Sequence, residues 1–189
     1  MFKTMNTRPQ CIIVTGRPGS GKTTLAGELG HRLWLPVVSR DQIKEGYVNT
    51  FGVKHDQLPP ETNGVVTEFF FSVVEQYLVN NVSVIIEAAF QHHVWEPRVK
   101  RIGEVSRPFL VVCSVAADLA AQRHLQRGLA DPCREFYHGD RRVAIYRETG
   151  TVTPGNYVTP EFDLPTAHIS TEGDYSPSLD ELVQQIRHA

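Results

Sequence analysis

The sequence predicts an α/β domain in which a parallel sheet carries helices on both faces. Short, β-branched apolar runs alternate with longer amphipathic stretches, the rhythm of repeated βα units. Several of the short runs are apolar at every position, as strands covered on both faces are. The first run also passes through a glycine-rich turn straight into a helical pattern.

Taken in order, the strand candidates are Cys11–Val14, Pro36–Val38, Val82–Ile86, Phe109–Cys113 and Ala167–Ile169. Helical candidates lie between them at Lys22–Leu33, Asp41–Tyr47, Glu61–Asn80, His93–Val105, Ala117–Gly128 and Ser178–His188. In the Glu61–Asn80 segment, Val65, Phe69, Val73 and Tyr77 form one stripe and Val66, Phe70, Val74 and Leu78 a second beside it, a broad apolar face expected in the core. The stretch Gly128–Gly139 holds Pro132 and a glycine at each end, so it is read as a lid at about 128–140 between two helices. Gln91, His92 and His93 are read as a solvated loop, because adjacent histidines diverge and no partner stands at ligand spacing.

At 189 residues the chain is expected to be one domain, 1–189, with one core. Hydrophobic residues make up 41% and charged residues 21%, which excludes a disordered tail or a disulfide-stapled miniature. Nineteen Lys and Arg against 21 Asp and Glu give a net charge of −2, so no global field favours a long polyanion. Cys11, Cys113 and Cys133 are odd in number and widely spaced, the usage of reduced thiols in a cytoplasmic protein. Met1–Arg8 is polar, and no segment reaches the roughly 18 apolar residues of a membrane span.

Gly16-Arg17-Pro18-Gly19-Ser20-Gly21-Lys22-Thr23 fills the G-x-x-x-x-G-K-[ST] template, directly after a strand and directly before a helix. Glycines let successive backbone N–H groups turn inward, and the following helix adds the partial positive charge of its N-terminus. Gly16, Gly19, Ser20, Gly21, Lys22, Thr23 and Thr24 are therefore the candidate nucleotide contacts. Lys22 is expected at the transferring phosphates and the Thr23 hydroxyl at Mg²⁺. Motors and large ATPases need more chain than this, and the N-K-x-D motif of GTPases is absent, so a small phosphotransferase fits best, with water, a hydroxyl and a protein partner all open as receivers of the phosphate.

Ligands of such sheets collect at the carboxyl ends of the strands, so the residues after the second strand face the same crevice. There Asp41 is placed to take a proton from an attacking hydroxyl, with an N-cap role as its bland alternative. Lys44 lies one turn later and is expected to hold an anionic group of the acceptor, while Arg40 is either a substrate contact or a surface ion-pair residue. Glu87 ends the third strand, where an acid can hold Mg²⁺-bound water or touch substrate. Arg123 and Arg127, four apart on one helix face, are expected to meet phosphate charge when the lid closes, with Arg134 inside the lid itself. The turn Ser170–Asp174 lies near the expected adenine edge.

These residues resemble the compact P-loop kinases, in particular the branch that contains the 5′-kinase domain of phage polynucleotide kinase, the zeta toxins and chloramphenicol phosphotransferase. The resemblance spans nearly the whole chain and rests on Gly16–Thr23, on Arg40, Asp41 and Lys44, and on Arg123-x-x-x-Arg127. It implies a three-layer P-loop NTPase fold with five parallel strands in the order 2-3-1-4-5 and a small lid. It implies transfer of the ATP γ-phosphate to a hydroxyl, with Asp41 as base, Lys22 and Thr23 at phosphates and metal, and Arg123 and Arg127 at the nucleotide's charge. Glu87 departs from the Asp of several relatives, and Lys44 stands where the polynucleotide 5′-kinase has an arginine. A small-molecule acceptor is the first reading, a nucleic-acid 5′-hydroxyl the second, and an ATP-dependent switch without acceptor the third; monomer and dimer both stay open.

Overall fold

The computed structural model describes residues 8–189; most of the polar N-terminal stretch, residues 1–7, lies outside it. The elements run β1 (Gln10–Gly16), α1 (Lys22–Leu33), β2 (Val37–Ser39), α2 (Arg40–Phe51), α3 (Thr62–Val79), β3 (Val84–Glu87), α4 (His92–Val105), β4 (Arg107–Ser114), α5 (Ala117–Ala130), α6 (Cys133–His138), α7 (Arg142–Thr149), β5 (Thr166–Ser170) and α8 (Leu179–His188). The five strands form one sheet in the order β2-β3-β1-β4-β5, all parallel, as the resemblance implies.

The alternation of side chains along β1 builds two cores. Cys11 and Ile13 point to one face, where Val84, Ile86, Leu110 and Val112 join Phe70, Phe71 and Trp95 of α3 and α4. Ile12 and Val14 point to the other, against Leu25 and Leu29 of α1 and Leu182 and Ile186 of α8. Each fully buried Leu or Ile contributes about 1.5–3 kcal/mol, so burial on both faces fixes the central strand and the turn at its carboxyl end.

Three expectations change. On α3 the stripe Val66, Phe70, Val74 and Leu78 is buried, whereas Val65 and Phe69 stand 48% and 58% exposed. Val73 and Tyr77, on the stripe of Val65 and Phe69, still pack against the core, so only its first half stands open. The segment after α5 is not a simple excursion, since it forms α6 and then α7. His92 and His93 begin α4, with the His92 ring stacked on Phe162 at 4.9 Å between centroids.

From Gly150 to Pro165 the chain forms a strap without helix or strand. Phe162 and Leu164 of the strap pack onto the first core, and Gln91 ties it down by bonds to Asn156 O and Val158 N, both 3.3 Å. Among the described residues no helix is long and apolar enough to cross a membrane.

Candidate active site

The turn between β1 and α1 places the phosphate-binding template at the carboxyl edge of the sheet. Gly19 has φ +89°, and a Cβ added there would lie 2.1 Å from Ala120 O, so only glycine lets this turn pass under α5. Thr171 Oγ1 donates to Ser20 O at 2.6 Å, which fastens the turn to the end of β5. The Ser20 hydroxyl itself is buried without a partner, a polar group left for something bound in the turn.

Glu87 is the hub of the site. Its side chain is 2% exposed, with Lys22 Nζ 3.7 Å from Oε1. Thr23 Oγ1 and Ser39 Oγ donate to Oε2 at 3.3 and 2.8 Å. Carboxylate and hydroxyl oxygens side by side are the donors a hard divalent cation prefers, and Mg²⁺ needs only one or two such groups beside substrate phosphates and water. Among the described residues no cluster of three or more His, Cys, Asp and Glu could hold a metal alone. Thr23 and Glu87 thus fit Mg²⁺ carried in with a nucleotide. Thr24 is exposed beside them on the first turn of α1.

On the acceptor side, Ser39 occupies the N-cap position of α2, so Asp41 lies inside the first turn and is not the cap. Partial burial pushes the Asp41 carboxyl up, but the charges of His138, Lys22, Arg40 and Lys44 outweigh it and hold its pKa below the ordinary value. Asp41 is an ionised carboxylate bordering Lys22. Arg40 is committed to α3 and to its neighbour: its Nη2 donates to Asn63 Oδ1 at 2.9 Å, and its Nη1 lies 3.6 Å from Asp41 Oδ1.

Lys44 makes a contact with the lid. It is 5% exposed and its Nζ donates to His138 O at 3.3 Å. Burial, helped by the Arg40 guanidinium and opposed by Asp41, lowers its pKa to about 8. The ammonium ties α2 to the lid. His138 closes the same seam from the lid side, its Nε2 lying 2.9 Å from Glu45 Oε1. Burial depresses the His138 pKa, against the pull of Asp41 and Glu45.

The two arginines of α5 separate. Arg123 donates through Nη1 to Thr171 O and through Nη2 to Glu172 O, each at 2.8 Å, so its fork holds the loop after β5. One helical turn later, Arg127 is influenced by Asp41, Glu87 and Asp140, which raise its pKa, while desolvation and Arg134 lower it further. Arg127 thus lies near enough to Asp41 and Glu87 to feel their charge, and Arg134 of the lid near enough to Arg127 to feel its own. A sequence reading has no means of finding Glu45, His138 or Tyr157 in this region. Tyr157 comes from the strap to within 3.2 Å of Thr15 Oγ1 beside the turn, and nothing local in its sequence marks it.

Comparison with solved structures places the fold. A candidate kinase of Chloroflexus aurantiacus superimposes with a TM-score of 0.78 over 96% of this chain and 98% of its own, at 23% identity. The APS kinase CysC of Mycobacterium tuberculosis, solved with AMPPNP and APS, gives a TM-score of 0.63 over 96% of both chains at 19% identity. Shikimate kinase of Acinetobacter baumannii, solved with shikimate, gives 0.51 over 96% and 92% at 18% identity. No curated protein sequence matches the chain. The fold is that of the compact P-loop kinases, and because the family model described as an AAA domain matches residues 11–141, well over half its length, the chain belongs to that family.

Proposed function

We propose that the chain is an ATP-dependent phosphotransferase that carries the γ-phosphate to a hydroxyl group of a small molecule. The observation that supports this best is the convergence of Lys22, Thr23 and Glu87 with the ionised Asp41 at one end of the sheet, under Arg127 and the lid. The turn amides and Lys22 bind the β- and γ-phosphates. Thr23 and Glu87 would hold Mg²⁺, which when bound would supply positive charge against the phosphates. Asp41 orients the acceptor hydroxyl and takes its proton as the new P–O bond forms and the bond to the ADP oxygen breaks.

Arg127 and Arg134 balance charge on the transferring group, and their guanidinium forks suit its oxygens. The lid, seated on α2 through Lys44 and His138, excludes water that would otherwise compete as acceptor. Structures similar in fold include kinases bound to APS and to shikimate, which supports an acceptor of that size. The test is incubation with γ-labelled ATP and Mg²⁺ against sugars, nucleosides, antibiotics and 5′-hydroxyl oligonucleotides. Label in a small molecule supports the reading. Label only in the oligonucleotides makes the chain a polynucleotide 5′-kinase, and label only in free phosphate makes it an ATP-driven switch.

A further inference from the structure

Thr15 Oγ1 donates its only hydrogen to Ala88 O at 2.9 Å, a carbonyl that can only accept. The 3.2 Å contact between Thr15 Oγ1 and the Tyr157 hydroxyl is therefore donated by Tyr157. Burial raises the pKa of this phenol more than Thr15 and the Gly16 backbone lower it, so the hydrogen stays in place at neutral pH. Gln91 aims the ring. Its Nε2 donates to Asn156 O and its Oε1 accepts from Val158 N, so one amide brackets Tyr157 from the residues on either side. Gln91 itself is fixed, because it stands at the N-cap position of α4, a helix anchored in the core by the fully buried Trp95. Resting on the phosphotransferase reading, we infer that Tyr157 is a positioning residue of the transfer step, aimed by Gln91, which clips the strap to the strand ends that carry the phosphate turn and Glu87.

The place of the bond decides what it affects. Thr15 is wholly buried and immediately precedes Gly16, where the turn begins, while Ala88 immediately follows Glu87. Ala88 N also donates to Val14 O at 3.3 Å, so the Thr15 hydroxyl completes a two-bond lock between the ends of β1 and β3. The strap backs the turn as well, since Gly155, Asn156 and Tyr157 share the lining of a void of about 60 Å³ with Arg17 and Pro18. In such a turn the backbone amides cradle the inner phosphates and the lysine reaches outward to the γ-phosphate, so acceptor and γ-phosphate meet where Glu87 and Asp41 stand. An in-line reaction is sensitive to placement, and a misplacement of about 1 Å caused from a distance costs about a hundredfold in rate. Tyr157→Phe deletes the donor and leaves Thr15 bonded to Ala88 O, so no buried group loses its sole partner and the fold is kept.

The test is steady-state kinetics with γ-labelled ATP, Mg²⁺ and the best acceptor of the panel, on wild type, Tyr157→Phe, Gln91→Ala and the double variant. Tyr157→Phe should lower kcat/KM for the acceptor about tenfold while the Kd for Mg·ATP in calorimetry stays within about twofold. Gln91→Ala should reproduce that profile, and the double variant should lie within about twofold of Tyr157→Phe, because an aim costs nothing once the hydroxyl is gone. A clip that serves stability alone would lower the Tm and leave these kinetics untouched. Unchanged acceptor kinetics in Tyr157→Phe, a loss confined to Mg·ATP affinity, or losses that multiply in the double variant each overturns the assignment. A wild-type chain that labels no acceptor of the panel overturns the phosphotransferase reading and the inference resting on it together, and that failure is told apart because it shows without any variant. Should Gln91→Ala not fold, Tyr157→Phe decides by its kinetics alone.

Discussion

Ser39 and Glu87 are register partners on neighbouring parallel strands, and the Ser39 hydroxyl donates to the Glu87 carboxylate at 2.8 Å. Ser39 also precedes α2 without capping it through its side chain. One short bond thus couples the carboxylate beside Lys22 and Thr23 to the helix that carries Asp41. Replacing Ser39 by Ala leaves a buried carboxylate with one donor fewer, at a cost on the order of 1–3 kcal/mol. Denaturant unfolding should show that loss, and the Mg²⁺ concentration for half-maximal rate should rise, as it should more strongly in Glu87→Gln.

Lys22→Ala should abolish turnover and weaken Mg·ATP binding at least tenfold in calorimetry, since the ammonium acts on the ligand. Circular dichroism should remain that of the wild type. Glu87 keeps its bonds from Thr23 and Ser39 in the variant, so the site does not collapse.

Arg123 and Arg127 should give different kinetic signatures. Arg123→Ala removes two bonds to the loop after β5, so it should lower the Tm by several degrees and raise the KM for ATP. Arg127→Ala should lower kcat more than it changes that KM, because its charge matters most in the transition state. Identical profiles for the two variants would contradict this division.

Lys44 adds a pH signature with a definite sign. Its pKa is lowered from 10.5 to about 8 in the folded chain, so between these values the unfolded chain binds more protons and the lysine's contribution to stability rises with pH. Comparing wild type with Lys44→Met by denaturant unfolding at pH 7 and pH 10 should show the difference moving in favour of the wild type at the higher pH. A difference independent of pH would mean that the ammonium is not desolvated beneath the lid.

How far the site can be read from sequence depends on how local its determinants are. Gly16–Thr23 and Glu87 are legible because a contiguous template and the end of an apolar strand fix their positions. The seat of Lys44 is not legible, because its partner is a backbone carbonyl 94 residues away, which no spacing encodes. Arg123 and Arg127 share a helix face, and only the position of the β5 loop assigns one to carbonyls and leaves the other to the crevice. The exposure of Val65 and Phe69, on a stripe whose Val73 and Tyr77 pack on the core, depends on what the assembled elements cover and not on the helix pattern.

The most direct measurement is ³¹P NMR of a reaction containing Mg·ATP and the best acceptor from the labelled panel, run with the wild-type chain and with Asp41→Asn. In the wild type a phosphomonoester resonance should grow in equal amount with ADP. Asp41→Asn should form the same product roughly 10²–10⁴ more slowly with unchanged ATP affinity, the range expected for loss of a positioned general base. Inorganic phosphate as the sole product, or wild-type speed in Asp41→Asn, would contradict phosphoryl transfer to a hydroxyl held by Asp41.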